Sequence, residues 1–531
     1  MFSDEISPDT IDAFELALTS GGDSRTCLTK SGRNKYHSSA RPLNDTALFG
    51  SCTSSSVATN GYDAALTFFR QLEAVEDETQ KQETIEEHYG LCRRELLSYV
   101  MNLESHTAQA IIAPSGTDAE YLALWVAWIS SGKKPISNII IGPTELGSGS
   151  IVAAAAKYFD DQTPVNQAVT PGNVLDEELA AATKVYKVSI RDQSGDTHHH
   201  ADMDDEVRDL VKREIDQGRH VLLHMVAHSK TGIHAPTLDT VHELKDQYGI
   251  AQLSIIVDAA QGRFSRTGMR QIIAENSMAI ITGSKFFGGP GFCGAVVIPE
   301  CYIDLLKAED TLPAGFDKFF CADMFPTDWD KPRSALSNPT NLGVLLRWRA
   351  SLAEIIRYYH TPSHLRYEVM HRFRQLAPAA LHESKYITMI GEDESDKFYS
   401  EHLLQSNTTV FFFTLGKDKL FNKAELYEVF RWLNYDLSEA LSNLPTIKKI
   451  GTEYKFQIGQ PVTLMKNNNE EISVLRIAIG GVMISDFAID LKYGHTLNQR
   501  MTFLQHQLEF LVNKLDIITE NFQALSKSDI L

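Results

Sequence analysis

The sequence predicts an α/β fold: a mostly parallel sheet in a large domain, followed by a smaller α+β domain. Three observations carry this expectation. Short, continuous apolar runs rich in β-branched residues, Leu253 to Val257 and Met278 to Ile281 among them, read as strands buried on both faces. Over residues 61–335, strand-like and helical patterns alternate, as a parallel sheet with crossover helices demands. Residues 336–531 open on a long helical pattern and then mix strands with helices.

Along the chain, residues 1–60 are polar, with clusters such as SCTSSSVATNG, and read as an extended arm with room for short helices. In AIIAPSGTDAEYLALWVAW, the turn Ala113-Pro114-Ser115-Gly116-Thr117 opens a helix whose apolar positions, Tyr121, Leu122, Leu124, Trp125 and Trp128, have helical spacing. Gly116 permits close backbone approach. The free N–H groups of Gly116, Thr117 and Asp118 then form an anion site at the positive helix end. A plain cap by Ser115 or Thr117 is the alternative. The strand Asn138 to Ile141 leads into GPTELGSGSI.

In LSIIVDAAQGRFS, Asp258 stands at a strand's carboxyl end, where open α/β sheets place ligands. Such a carboxylate either caps the next helix or pairs with a protonated ring nitrogen. In AIITGSKFFGGPGFCGAVV, Lys285 follows a strand in a glycine-rich turn, placed to hold an aldehyde as a Schiff base or to be a solvated loop lysine. The C-terminal part reads as a helix from Asn341 to about Tyr359, a strand Thr408 to Thr414 and a helix Ala424 to Leu441. A strand bearing Arg476 and a last helix, about Leu497 to Leu525, complete it. Arg476 alternates with apolar Leu475 and Ile477, so it either points inward or is an ordinary surface arginine.

Taken in order, these segments resemble fold-type I pyridoxal-phosphate enzymes, specifically the aminotransferase class V group that includes cysteine desulfurases. SGTDAE resembles that group's phosphate-cup helix start. AHSKTGIHAPTLDTVHELKDQYGIAQLSIIVDAAQ resembles its Thr-Gly turn, helix and Asp-x-x-Gln strand. TGSKFFGGPGFCGAVVI resembles the lysine strand and hairpin. SNPTNLGVLLRWRASLAEI and SVLRIAIG resemble the helix leaving the large domain and the arginine strand. The likeness spans roughly residues 90 to 360 plus the patch around Arg476.

The resemblance implies a seven-stranded sheet in the large domain and a role for each matching residue. Lys285 would be the Schiff-base lysine and general acid/base, Asp258 the pyridinium partner and Gln261 the donor to the ring oxygen. Ser115, Gly116 and Thr117 would bind phosphate, with Thr282 and Ser284 as further hydroxyls. His228 and Ser229 would lie near the ring oxygen, and Arg476 would clamp the substrate carboxylate. It also implies a homodimer with a shared active site, for which the polar arm and the aromatic stretch Phe316 to Phe325 offer independent motives.

The chain departs from the group after the strand Asn138 to Ile141, where a histidine or aromatic residue usually stacks on the ring. Here Glu145 and Leu146 stand, a glutamate suited to acid–base or substrate contact and a leucine able to pack the ring. No desulfurase-type cysteine is evident: Cys321 comes too soon after Lys285 and reads as a buried structural thiol.

Composition bounds the rest. The chain has 531 residues, 43% hydrophobic and 22% charged, enough for two domains. The net charge of −19 argues against nucleic acid or an anionic membrane as partner. Six scattered cysteines suit a reducing compartment, no apolar run approaches ~18 residues, and MFSDEISPDT is acidic rather than signal-like; a cytoplasmic protein is expected. Thr197-His198-His199-His200 reads as a solvated loop before a helix starting near Asp205, and no metal is expected. The cluster Arg263, Arg266 and Arg270 reads either as an anion or subunit contact or as a solvated helix face. Asn467 to Glu471 reads as a hairpin turn. No G-x-G-x-x-G follows a first strand, which disfavours a dinucleotide oxidoreductase.

The functional expectation is a pyridoxal-phosphate enzyme acting on an α-amino acid through a Cα carbanion. Lyase or β/γ-replacement chemistry, carbon–carbon bond formation included, comes first, and class V transamination is the alternative. A non-catalytic relative on the same fold is the remaining reading.

Overall fold

A computed structural model describes residues 8–103, 107–390, 409–417, 419–445, 450–466 and 471–527. The expected turn at Asn467 to Glu471 lies outside the described residues except for Glu471. Strands are numbered in chain order. The first, β1 (Thr46–Phe49), lies in the amino-terminal segment. The large sheet comprises β2 (Ala108–Ala113), β3 (Ile136–Ile141), β4 (Thr183–Val188), β5 (His220–Val226), β6 (Leu253–Asp258), β7 (Met278–Thr282) and β8 (Gly294–Pro299). Its order is β2-β8-β7-β6-β5-β3-β4, and only β8 runs antiparallel to its neighbours.

Every residue of β3, β5, β6, β7 and β8 is buried, which is why these strands read as unbroken apolar runs rather than alternating ones. The helix Ala119–Ser130 is buried from Ala119 to Ile129. At the start of β8, Gly294 is required by packing: a Cβ there would meet the Ser115 carbonyl carbon at 2.4 Å.

The smaller sheet contains β9 (Ile387–Met389), β10 (Val410–Leu415), β11 (Lys455–Lys466) and β12 (Glu471–Ala478), in the order β1-β11-β12-β10-β9. Arg476 on β12 pairs with Phe412 and Gly459, and its side chain is buried. The helix Leu342–His360, capped by Asn341, departs by one residue from the span its periodicity predicts. The helix expected over Ala424 to Leu441 is Lys423–Trp432, since the Leu437 N–H turns to the carbonyl of Thr452.

Residues 8–60 differ from the expected arm. The helix Pro8–Thr19 buries Phe14 and Leu18 against the main core, and β1 adds a parallel edge strand to the small sheet. Arg347 fastens this segment: its guanidinium donates to the carbonyls of Leu18 (2.8 Å), Ser20 (2.6 Å), Gly21 (3.2 Å) and Phe292 (2.7 Å). The Phe316 to Phe325 stretch is likewise consumed within the chain, its phenylalanines buried around Tyr121 and Trp125. Both independent motives for a partner subunit are thus satisfied internally.

Arg263 is buried, donating to the Ile479 carbonyl (2.8 Å) and to the Thr409 hydroxyl, so it links the loop after β6 to residues flanking β10 and β12 of the smaller sheet. His200 begins the helix His200–Asp216, five residues earlier than the sequence suggests. Replacing Arg347 with methionine is expected to cost about 3 kcal/mol or more of unfolding free energy, because several buried carbonyls lose their donor together. Equilibrium urea denaturation measures it, and an unchanged midpoint and slope would show the arm to be held by apolar contacts alone.

Candidate active site

The carboxyl ends of β2, β3, β5, β6 and β7 lie along one edge of the large sheet, the side on which open α/β sheets bind ligands. Here the turns after these strands meet β11 and β12 around a cavity of about 670 Å³. Ser115, Gly116, Thr117, Glu145, His228, Asp258, Gln261, Thr282, Ser284, Lys285 and Arg476 all line it. Ser229 is beside it rather than in its wall, with its hydroxyl donating to Glu145 Oε2 at 2.5 Å.

Lys285 begins a short 3-10 turn directly after β7 and has φ +52. His228, just past β5, has φ +69. Non-glycine residues in this region store on the order of 1–3 kcal/mol each, and both fall at the cavity. Asp258 Oδ1 accepts the N–H of Ala260 at 3.0 Å. Burial raises the Asp258 pKa, opposed by the nearby Lys285 cation. Burial lowers that of Lys285, opposed by Asp258 and reinforced by Arg476.

Glu120, fully buried on the helix Ala119–Ser130, lies 3.4 Å from His224 Nδ1. Burial, with Asp258 adding to it, holds Glu120 well above the usual carboxylate range, and burial pushes His224 down to about 3. Burial thus disfavours the charged form of both. His228 has no partner on either ring nitrogen among the described residues. Burial, with His234 and Arg263 nearby, keeps its ring uncharged.

The candidate anion cup is built around Ser115. Its hydroxyl accepts the N–H groups of Thr117 (3.1 Å) and Asp118 (3.2 Å) and donates to Asp118 Oδ2 (2.5 Å). Arg25 completes the cup, donating to Ser115 Oγ at 3.1 Å and Thr117 Oγ1 at 3.2 Å. Asp23 grips its guanidinium at 2.7 and 2.5 Å, and the rings of Phe159 and Phe292 lie 4.9 and 5.0 Å from it. Burial disfavours this cation, but Asp23 outweighs the effect and raises its pKa. Thr282, expected to offer a hydroxyl, donates instead to the Ala260 carbonyl (2.7 Å). At the opposite wall, Arg476 donates to the carbonyls of Lys230 (2.8 Å) and Gln460 (3.4 Å), while its buried Nε has no partner.

Solved structures share this arrangement of strands. A NifS-like protein is 11% identical, over 90% of this chain and 99% of its own, with a TM-score of 0.52. The ureidoglycine–glyoxylate aminotransferase of Bacillus subtilis is 12% identical, over 92% and 97%, with a TM-score of 0.50. A variant of the cystine C–S lyase C-DES with glycine covalently linked to its pyridoxal-phosphate cofactor is 12% identical, over 88% and 97%, at 0.51. The chain has the fold-type I architecture. No family model and no curated protein matches it.

Within the fold-type I frame, the loop after β3 is unusual. The Glu145 carboxylate accepts Arg191 Nε (2.6 Å), the Ser229 hydroxyl and both the N–H (3.2 Å) and hydroxyl of Thr231. Burial raises its pKa, but Arg191 and the two hydroxyls outweigh this and lower it. Glu145 is thus an ionised anchor for the Ser229–Thr231 turn. Leu146 also lines the cavity.

Sequence reasoning missed Arg25, which enters the site from about 90 residues away with no local motif to mark it. Arg25→Met is expected to weaken binding of inorganic phosphate about 10-fold, the loss of one charge-assisted contact pair. Calorimetric titration with phosphate reads this directly, and equal affinity in the variant would remove Arg25 from the cup.

Proposed function

We propose that this chain is a pyridoxal-phosphate-dependent enzyme acting on an α-amino acid, with Lys285 as the residue that holds the cofactor's aldehyde. The carrying observation is that Lys285 and Asp258, at the ends of adjacent parallel strands, share one buried cavity with an anion cup and an inward arginine. The residues present fit the cofactor. Arg25, Ser115 and Thr117 would take the phosphate, Asp258 the ring nitrogen, and Gln261 and His228, with its two unpartnered nitrogens, the ring's polar edge.

Bound there, pyridoxal phosphate supplies an electron sink for the pair left when a bond at Cα breaks. The protein does the rest. Arg476 has guanidinium protons beyond its two carbonyl contacts to fix the substrate carboxylate in a bidentate way. Asp258, whose carboxylate is favoured by the nearby Lys285, would pair with the ring nitrogen. Lys285, its pKa lowered by burial, would take the Cα proton and return one.

For the outcome at Cα we propose lyase or β/γ-replacement chemistry, carbon–carbon bond formation included. Support comes from the loop after β3, which lines the cavity with Leu146 and a locked Glu145 instead of an imidazole or aromatic ring. Class V transamination is the second reading, favoured by the fold shared with an aminotransferase. We further propose a homodimer, resting on the resemblance alone. No helix among the described residues is long and apolar enough to cross a membrane.

Borohydride reduction of the protein with pyridoxal phosphate, then peptide mapping, is expected to find the pyridoxyl group on Lys285. A label elsewhere, or none, defeats the assignment. With amino acids bearing β- or γ-leaving groups, release of that group marks lyase or replacement chemistry; amino transfer to an added keto acid without it marks the second reading. Sedimentation at micromolar concentration is expected to give twice the monomer mass, and a fully active monomer would exclude the dimer.

A further inference from the structure

Among the described residues, two cations lining the cavity have an ammonium with no partner: Lys423, which is exposed, and Lys230. Arg25 is paired with Asp23 at the cup, Lys35 reaches Asp160 at 3.6 Å, and Arg476 faces inward from β12. Of the anionic side chains lining the cavity, Glu145 is taken by Arg191, and Glu471 accepts the N–H of Lys423 and the Ser473 hydroxyl. Asp258 lies beside Lys285.

Lys230 remains. It follows His228 and Ser229 in the turn after β5 and lines the cavity, and its ammonium has no hydrogen-bond or ion-pair partner among the described residues. Its own carbonyl accepts Arg476 Nη1 at 2.8 Å, so the turn carrying Lys230 is tied to the arginine expected to clamp the substrate carboxylate. Both flanks of this turn are fixed: Glu145 grips Ser229 and Thr231, and the Lys230 N–H donates to the Glu145 carbonyl at 3.2 Å. Burial, with Arg476 and Lys285 nearby, pushes the Lys230 ammonium down to about 7. A half-buried ammonium without a counter-ion, carried on a fixed backbone turn, is disfavoured. An arriving anion would offset that penalty.

We infer that Lys230 recognises a second negative group on the substrate, so that the enzyme acts on amino acids whose side chain ends in a carboxylate, sulfonate or phosphate. The inference rests on the proposed reading of the site, which places the α-carboxylate on Arg476. It uses the charge of this cavity rather than the chemistry at Cα, and holds for either lyase or transferase outcomes.

Calorimetry on the protein as purified tests it, with L-aspartate against L-asparagine, L-glutamate against L-glutamine, and O-phospho-L-serine against L-serine. At least one acidic member is expected to bind about 10-fold more tightly than its neutral partner, the worth of one charge-assisted contact. Which pair shows it distinguishes carboxylate from phosphate. The preference is expected to vanish in Lys230→Met and to return in Lys230→Arg. No preference in the wild type, or one that survives Lys230→Met, overturns the inference. Succinate against succinamate, which lack the amine and differ by one charge, separates the two levels. If Lys285 takes no label yet succinate still prefers the wild type to Lys230→Met, the reading of the chemistry fails and the anion site stands. If Lys285 is labelled and succinate shows no such preference, the reverse holds.

Discussion

The placement of Asp258 beside Lys285 is the constraint on which the site depends. Burial raises the pKa of Asp258 and lowers that of Lys285, and each opposes the other's shift. The arrangement requires two adjacent parallel strands ending at the same level, which the β6–β7 pairing supplies through the partners Ile256–Met278 to Asp258–Ile280. It also requires that nothing else nearby compete for the charge. Glu120 meets this by burial deep enough to keep its proton, and His224 by staying neutral against it. Burial thus raises the pKa of both carboxylates, and at Asp258 the neighbouring Lys285 opposes the rise.

What the sequence showed follows from how local each signal is. β6, β7 and the helix Leu342–His360 were legible because burial on both faces, or along one stripe, writes a continuous or periodic pattern into adjacent residues. Asp258, Lys285 and Arg476 were legible because each sits within or at the end of such a pattern. Arg25 was not. Its partners are an aspartate two residues away and hydroxyls about ninety residues on, and no spacing rule links them. The role of Glu145 was visible only as an oddity, because Arg191, which fixes it, lies 46 residues downstream. The amino-terminal segment misled for a related reason. Its average composition is polar, yet Phe14, Leu18 and Phe49 are each enough to anchor a short element to a core made elsewhere.

Three buried arginines divide the work of holding the molecule together. Arg263 spans from the loop after β6 to Thr409 and Ile479, which flank β10 and β12, with Phe286 under its guanidinium at 5.0 Å. Arg347 joins the long helix to the amino-terminal segment and to Phe292 of the lysine hairpin. Arg25 runs from that segment into the cup. All three use the planar fork to reach several oxygens at once, which a lysine's single ammonium does less well. The reading of Arg263 as part of a surface cluster failed because helical spacing cannot report that the chain has not yet entered the helix: that helix begins at Arg266.

These links couple the order of the amino-terminal segment to the order of the cup. Asp23 positions Arg25, and Asp23 is held by the turn at Ser24–Thr26, whose entry point is fixed by the Arg347 contacts to Ser20 and Gly21. Phe292, one of the two rings beside Arg25, gives its carbonyl to the same Arg347. A displacement of the segment would therefore remove the cup's cation, one wall of its aromatic sandwich and a restraint on the hairpin that follows Lys285, all in one step. The candidate cup is thus complete only when the first described residues of the chain have docked, although the turn that announced it lies about ninety residues further on.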